Sequence, residues 1–192
     1  MPRIVLASTS RYRRELLSRL RISFEVMAPD VDETPRHGEV PKATALRLAL
    51  AKARAVAADD PDAVVIGSDQ VADLDGCALS KPGSHEAATE QLRALRGRTV
   101  VFHTAVALVQ GERAEVAETP TSVRFRMLDD VELERYLRAD TPYDCAGAAR
   151  VESLGIALLE HVRADDPTAL IGLPLICVTR LLGRFGVDVL AA

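Results

Sequence analysis

Four charged residues in this chain have the chemistry that a bound triphosphate requires. Asp69 follows the apolar run 63–67, and Glu33 lies in a polar segment just past a second strand-like run. Two carboxylates from two strand ends can hold Mg²⁺, which takes a few carboxylates together with waters and substrate phosphates. Lys52, at the border of a helical apolar stripe, and Lys81, after a predicted hairpin, can supply positive charge to phosphate oxygens. We therefore predict that these residues converge on a polyphosphate.

The start of the first helix is a candidate phosphate cradle. The apolar run 4–7 is typical of a buried strand, and the Ser-Thr-Ser segment 8–10 supplies cap-type residues for a helix that begins near Ser10. The free N–H groups at a helix N-terminus attract anions. Arg13 falls on the leucine-bearing side of this helix, where it can either snorkel to solvent or meet an anion.

Each of these residues also has a simpler interpretation. A lone Asp after a strand is usually a cap or turn residue, and a lone Lys is usually solvated. The run 30–34 fits the D-x-D-x-T pattern of phosphatases that form an aspartyl-phosphate, although Pro29 interrupts the strand that should precede it. A phosphoenzyme, or phosphate rather than pyrophosphate as product, would favour that alternative.

The composition predicts one globular domain over residues 1–192. Hydrophobic residues make up 48% of the chain and charged residues 27%, which is ordinary for a folded protein. A net charge of −4 argues against a nucleic-acid partner but allows a small anionic substrate. Three scattered cysteines without a C-x-x-C pair favour a reducing compartment. No apolar stretch approaches the roughly 20 residues that span a bilayer, so we expect a cytoplasmic protein without a membrane partner.

Strand-like and helix-like segments alternate along the chain without a linker. Apolar runs and alternation predict strands at 4–7, 23–27, 63–67, 99–109, 115–126 and 156–160. Helical periodicity and cap residues predict helices from near Ser10, from Pro41, and over 84–95, 129–137 and 174–182. The Asp75-Gly76 step predicts a small hairpin. Gly111 predicts the turn between the long strands 99–109 and 115–126, which would form an antiparallel pair. These mixed directions favour an α/β fold over a purely parallel sheet.

Several short motifs occur in a specific order. They are Leu6-Ala7-Ser8-Thr9-Ser10 followed by Arg13-Arg14-Glu15-Leu16-Leu17, then Asp32-Glu33, Leu50-Ala51-Lys52-Ala53, Ile66-Gly67-Ser68-Asp69-Gln70, Lys81-Pro82, Cys145-Ala146-Gly147 and Gly172-Leu173-Pro174-Leu175. In this order and spacing the chain resembles the Maf family of nucleotide pyrophosphatases over essentially its whole length. The resemblance implies a mixed twisted sheet flanked by helices, with a central nucleotide-binding cleft.

The resemblance implies hydrolysis of a nucleoside triphosphate to the monophosphate and pyrophosphate, with Mg²⁺ or Mn²⁺ as the metal. Asp69 would be the general base or a metal-linked carboxylate, and Glu33 a metal ligand. Phosphate contacts are implied for Ser8, Arg13, Lys52 and Lys81. Such a reaction requires an activated water and cations on the leaving pyrophosphate.

Three positions resemble a subgroup of the family that acts on 7-methyl-GTP. That subgroup has Trp, Gln and Glu where this chain has Tyr12, Gln70 and Glu152, whereas the more common members have Arg and Gln in place of Tyr12 and Glu152. Methylation makes guanine cationic, and an aromatic face attracts a cation. A carboxylate at 152 can accept hydrogen bonds from the Watson–Crick edge of guanine.

Two residues depart from the family pattern. Arg11 stands where the family usually has Pro, and Ser80 stands where it usually has Gly before Lys-Pro. Two other functions stay open: a pyrophosphatase acting on dTTP or UTP, and a non-catalytic nucleotide-binding regulator of cell division. The long strands would suit a homodimer.

Overall fold

Strands and helices alternate over residues 2–191, the part of the chain that this computed structural model describes. The strands are β1 (Ile4–Ala7), β2 (Glu25–Met27), β3 (Val64–Leu74), β4 (Cys77–Leu79), β5 (Thr99–Gln110), β6 (Arg113–Phe125) and β7 (Leu159–Ala164). The α-helices are α1 (Arg11–Ser18), α2 (Pro41–Ala57), α3 (His85–Leu95), α4 (Asp130–Asp140) and α5 (Leu175–Arg184). Short 3₁₀ helices span Ala146–Ala148, Leu154–Leu158 and Ala169–Ile171.

The strands form one mixed sheet in the order β2-β1-β3-β5-β6-β7, with β4 paired to β3. β1 runs parallel to β2 and β3, whereas the β3–β5, β5–β6 and β6–β7 pairs are antiparallel. This arrangement confirms the predicted α/β class with mixed strand directions.

The central strand β3 is unevenly paired along its two edges. One edge pairs with β5 over residues 65–73. The other edge pairs with β1 over 64–67 and with β4 over 72–74. Within the described chain no strand lies beside residues 68–71 on that edge, so the sheet opens there. This opening is the cleft that the resemblance predicts.

The helices cover both faces of the sheet. On one face, α2 packs through small residues against an apolar layer that includes Val5 and Val65. On the other face, α1 and α5 cover one half of the sheet, and α3 and α4 cover the other half. Gly67 on β3 lies so close to α2 that an added Cβ would come within 2.6 Å of the Ala53 backbone nitrogen. Here the helix therefore rests directly on the strand.

Local sequence signals set most element boundaries. The Ser10 and Ser84 side chains cap α1 and α3, and Asp129 and Glu132 form a capping box on α4. The Asp75-Gly76 turn has positive φ at both residues, as the predicted hairpin requires. Gly111 (φ 53°) lies in the turn between β5 and β6.

Several predicted strand boundaries differ from the structure. The strand predicted to end at residue 67 continues to Leu74, because pairing with β5 and then β4 satisfies its backbone groups past the apolar run. Ile156 lies in a 3₁₀ helix, and β7 begins only at Leu159. β2 is also shorter than predicted, beginning at Glu25 rather than Ser23.

Two further expectations concern the chain as a whole. Cys77, Cys145 and Cys177 are free thiols, as their spacing predicts. Between residues 2 and 191, no helix is both long enough and apolar enough to cross a membrane.

Candidate active site

Glu33, Lys52 and Asp69 meet in the opening of the sheet. The Lys52 ammonium lies 2.7 Å from Asp69 Oδ1 and 2.9 Å from Glu33 Oε1. Lys52 and Asp69 are nearly inaccessible, with side chains 5% and 8% exposed, whereas the Glu33 side chain is 60% exposed. A buried ammonium thus joins one buried carboxylate and one solvent-facing carboxylate.

Regular elements position the buried pair. Asp69 lies on β3 two residues beyond Gly67, which pairs with the last residue of β1, so its side chain borders the opening. Because strand side chains alternate between faces, Asp69 shares the α2 face of the sheet with Gly67. Lys52 lies on α2 just before Ala53, which packs against Gly67. The close contact of helix and strand therefore sets the distance between the two charged groups.

Burial and nearby positive charges shift the pKa of Asp69 in opposite directions. Burial raises the pKa of Asp69 above its ordinary value, and the positive charges of Lys52 and Arg13 partly offset that rise. Burial likewise lowers the pKa of Arg13, opposed by the negative charges of Asp69 and Glu33. The Asp69 carboxylate is therefore more basic than an ordinary aspartate while cations lie beside it.

An arginine that the sequence did not single out holds the loop that carries Glu33. Arg47 on α2 donates from Nε and Nη2 to the two carboxylate oxygens of Glu39, both at 2.6 Å. Its Nη2 also donates to the Thr34 carbonyl at 3.2 Å. The hydrogen bonds from Arg47 lower the pKa of Glu39 to about 2. Through its hydrogen bond to the Thr34 carbonyl, Arg47 ties the residue next to Glu33 to α2.

Asp32 has a local role in the same loop. Its exposed carboxylate accepts a hydrogen bond from the Thr34 backbone N–H at 2.9 Å, closing an Asx turn. A buried strand does not lead into this segment, because β2 ends at Met27. The geometry therefore favours a turn role for Asp32 over that of a phosphatase nucleophile.

Two cavities adjoin at the opening. One, of about 390 Å³, is lined by Glu33, Lys52 and Asp69 together with residues of α2 and the β4 region. The other, of about 150 Å³, is lined by Tyr12 and Glu152 together with residues 144–146, 149, 151 and 170–172. Residues that line both are Arg13, Gln70, Lys81 and Ala146.

Gln70 faces the side of the sheet opposite to Asp69, because successive strand residues alternate. Its amide nitrogen lies 2.9 Å from Thr104 Oγ1 and 3.0 Å from the carbonyl oxygens of Ala169 and Leu170. These acceptors occupy the amide donors and fix the orientation of the side chain. The amide oxygen is left to accept a hydrogen bond from a ligand.

The segment 169–172 holds several site residues through its backbone carbonyls. The Gly172 carbonyl accepts from Arg13 Nε at 2.9 Å and lies 3.0 Å from the Ser68 hydroxyl. The buried Asp166 carboxylate braces this segment by accepting from Thr168 and from the Ile176 backbone N–H. Sequence reasoning saw the glycine motif here but not this role, since backbone acceptors leave no side-chain signal.

Tyr12 and Glu152 lie on less regular structure. Tyr12 is the second residue of α1, and Glu152 lies in a turn between two 3₁₀ helices. Arg150 braces that turn by donating to the Asp140 carbonyl at 2.9 Å and to Asp144 Oδ1 at 3.0 Å. Burial raises the pKa of Glu152, opposed by its own backbone hydrogen bond and by Arg150 and Arg11. Arg150 was another residue missed from the sequence.

Two predicted phosphate-side residues differ in their placement. Lys81 is exposed and lines both cavities, in a loop held by hydrogen bonds from Gln91 to the Ser80 carbonyl and from Gly83 to the Tyr143 carbonyl. Ser8 is buried and is not among the residues that line either cavity. Its hydroxyl accepts from the Ser10 backbone N–H at 3.1 Å and so supports the start of α1.

A larger cavity, of about 600 Å³, lies away from this cluster. Residues that line it include Arg3, Ile4 and Phe24, at the amino ends of β1 and β2. None of the residues predicted to do chemistry lines it. We therefore assign the candidate active site by its converging charges rather than by cavity size.

The carboxylate oxygens of Glu33 and Asp69 fit a divalent cation that also binds substrate phosphates. Glu33 and Asp69 approach the same ammonium, so their oxygens converge on one small volume. Among residues 2–191, no three or more His, Cys, Asp or Glu side chains form a complete metal cage. Mg²⁺ usually keeps waters and uses one or two carboxylates plus phosphate oxygens, which matches this pair.

Comparisons with known proteins agree with the motifs. A family profile described as "Maf-like protein" matches residues 3–185. The chain belongs to the Maf family. Three relatives, all named 7-methyl-GTP pyrophosphatase, match this Maf protein over nearly its full length. They come from Bordetella parapertussis (60% identical, 97% of this chain and 94% of the relative), Albidiferax ferrireducens (58%, 99% and 96%) and Cupriavidus pinatubonensis (55%, 100% and 98%).

Solved structures similar to this Maf protein include that of the Staphylococcus aureus Ham1 protein. It is 19% identical, and the match covers 65% of this chain and 72% of the Ham1 chain, with a TM-score of 0.49.

Proposed function

We propose that this Maf protein hydrolyses 7-methyl-GTP to 7-methyl-GMP and pyrophosphate. The observation that carries the proposal is the pair of adjoining cavities, one with the Glu33–Lys52–Asp69 cluster and one with Tyr12 and Glu152. The names of relatives that are 55–60% identical over nearly the whole chain support the same substrate.

The larger of the two cavities suits the triphosphate. Arg13, Lys52 and Lys81 offer three positive charges around it, and cations of this kind stabilise the charge that develops on a leaving pyrophosphate. A divalent metal, Mg²⁺ or Mn²⁺, held by Glu33 and Asp69, would polarise phosphate oxygens there. Ser8 would contribute by supporting the helix start that carries Arg13.

Asp69 is suited to take a proton from the attacking water. Water attacks the α-phosphorus, the bond from that phosphorus to the α–β bridging oxygen breaks, and pyrophosphate leaves with the electron pair. The proton lost by the water passes to the Asp69 carboxylate, whose pKa is raised by burial. Lys52 engages Oδ1 of this carboxylate and Oδ2 takes the proton, so in this step the metal would be held by Glu33 and substrate phosphate oxygens.

The smaller cavity suits a methylated guanine. The Tyr12 ring offers an aromatic face to the cationic base, and the Glu152 carboxylate offers negative charge and acceptors to its Watson–Crick edge. The fixed Gln70 amide oxygen adds an acceptor between the two cavities. These three groups favour a cationic guanine over a neutral one.

A nucleotide panel tests this proposal. The purified chain is assayed for pyrophosphate release from 7-methyl-GTP, GTP, UTP and dTTP with Mg²⁺ or Mn²⁺, and with neither metal in the presence of chelator. We expect the highest kcat/KM for 7-methyl-GTP and no turnover in chelator. Faster turnover of UTP or dTTP would replace the substrate assignment. Binding without turnover would favour a regulator, and an aspartyl-phosphate would favour the D-x-D-x-T chemistry.

A further inference from the structure

Arg11 covers the aromatic ring that is proposed to hold the base. Its guanidinium carbon lies 4.6 Å from the centroid of the Tyr12 ring. Its Nη2 donates a hydrogen bond of 2.7 Å to the Tyr12 hydroxyl. Tyr12 lines the smaller cavity, and Arg11 precedes it in the first turn of α1. The chain therefore supplies its own cation to the Tyr12 face.

Arg11 also contributes to the charge around Glu152. Desolvation raises the pKa of Glu152, and the positive charges of Arg150 and Arg11 oppose that rise. Arg150 is paired with Asp144, which also lines the cavity, at 3.0 Å, so Arg11 supplies the added positive charge beside Tyr12 and Glu152. Beside Arg11 a cationic base meets like charge, whereas a neutral base does not.

We propose that Arg11, through its positive charge, is a specificity-determining residue that lowers the preference of this chain for a cationic guanine over a neutral one. The proposal rests on the proposed function, since it takes Tyr12 and Glu152 as the groups that contact the base. An aromatic ring that already attracts one cation attracts a second cation less strongly. The hydrogen bond from Arg11 to the phenol oxygen also draws electron density from the ring.

Two substitutions separate the charge of Arg11 from its bulk. Arg11→Met removes the charge and keeps a long flexible side chain, whereas Arg11→Lys keeps the charge. Arg14→Met is the matched control, because Arg14 is an exposed arginine on the same helix and lines neither cavity. For each variant, kcat/KM is measured with 7-methyl-GTP and with GTP, and the affinities for 7-methyl-GMP and GMP are measured by calorimetry.

The expected result is a higher 7-methyl-GTP:GTP ratio in Arg11→Met by about threefold to tenfold, the size of one cation–π contact. The calorimetric ratio should rise in parallel, while Arg11→Lys and Arg14→Met stay within about twofold of the native ratio. An unchanged ratio in Arg11→Met would overturn the proposal. An equal loss of kcat/KM with both nucleotides would also overturn it, because it would indicate a phosphate contact. An equal rise of the 7-methyl-GTP:GTP ratio in the Met and Lys variants would exclude charge as the cause.

The proposed function fails in a different way. If the native chain releases no pyrophosphate from 7-methyl-GTP, the substrate assignment is wrong whatever Arg11 does. If the native chain is active and only the ratio in Arg11→Met is unchanged, the substrate assignment survives and the role of Arg11 is wrong.

Discussion

Asp69 and Gln70 are neighbours in the chain, yet they face two regions of different construction. On the Asp69 side, the Lys52–Asp69 pair lies on α2 and β3, and both side chains are at most 8% exposed. On the Gln70 side, the proposed base contacts lie at the start of the two-turn helix α1 and in an irregular turn, where Glu152 is exposed. One strand thus separates a rigid, buried region from an irregular, accessible one.

The difference suggests how reaction and selectivity are divided. Side chains that backbone packing holds in place are suited to the reacting groups, because displacing such a group by about 1 Å can lower the rate about 100-fold. Side chains on loops and helix ends can change with less effect on the core. We therefore expect changes on the Asp69 side to affect all nucleotides alike, and changes on the Gln70 side to alter the ratio between them.

The largest effect is expected from Asp69→Asn, which removes the proposed base and keeps the shape of the side chain. The kcat for 7-methyl-GTP should fall by about 10²–10⁴-fold, the usual contribution of a general base. Calorimetry should still detect nucleotide binding. Asp59→Asn, at an exposed position after α2, is the control and should keep native activity. A near-native rate in Asp69→Asn would remove Asp69 from the reaction.

A smaller effect is expected from Lys52→Met, which leaves two carboxylates without their shared ammonium. Activity at neutral pH should fall on the order of 100-fold, because a buried charge loses its partner. Lys52 lowers the pKa of Asp69, so without it the acid limb of the kcat/KM profile should move to higher pH. The same profile for Lys42→Met, an exposed lysine on α2, should match the native one. An unmoved acid limb in Lys52→Met would argue against Asp69 as the titrating base.

Glu152→Gln tests the accessible region. The 7-methyl-GTP:GTP ratio should fall by about threefold to tenfold, while kcat for GTP changes little, because the amide keeps the acceptor and loses the charge. In the native chain the ratio should fall as pH falls through the pKa of Glu152, which partial desolvation raises above that of an ordinary glutamate. Glu160→Gln on β7 should leave the ratio unchanged. Equal losses with both nucleotides would place Glu152 in the reaction rather than in base selection.

The smallest effect is expected from Arg47→Met, which frees the Glu33 loop from α2. The metal concentration for half-maximal activity should rise by about threefold, with kcat at saturating metal nearly native, since Glu33 itself remains. Direct Mn²⁺ titration should report the same weakening, and Arg47→Lys should restore part of it. Because Arg47 lowers the pKa of Glu39 to about 2, the Arg47–Glu39 ion pair should persist at neutral assay pH. A loss of kcat without a change in metal affinity would contradict this role.

The sequence predicted the elements more reliably than their contacts. Helices with a clear apolar stripe and cap residues, such as those beginning after Ser10 and Ser84, form where predicted, because these signals are local. The end of β3 was misjudged, because its continuation depends on the partner strand β5, far along the chain. The assignment of residues 1–192 to one domain stays a prediction.

The site could be predicted only in its residue types. Lys52 and Asp69 were recognisable from motif and position, but their 2.7 Å contact depends on how α2 packs on β3. Arg47 gave no signal, since its role comes from contacts with Thr34 and Glu39 that a helical pattern does not reveal. Backbone acceptors such as the Gly172 carbonyl cannot be read from side-chain types at all.

Gly67 carries no functional group, yet it governs how near the ammonium and the carboxylate can come. Since α2 rests on the backbone at Gly67, any larger residue there would lift the helix and lengthen the Lys52–Asp69 separation without altering either charge. The methyl group of an alanine at position 67 would therefore act as a spacer between β3 and α2. It would lower the reaction rate by increasing the distance between Lys52 and Asp69, while both charged residues stay in place.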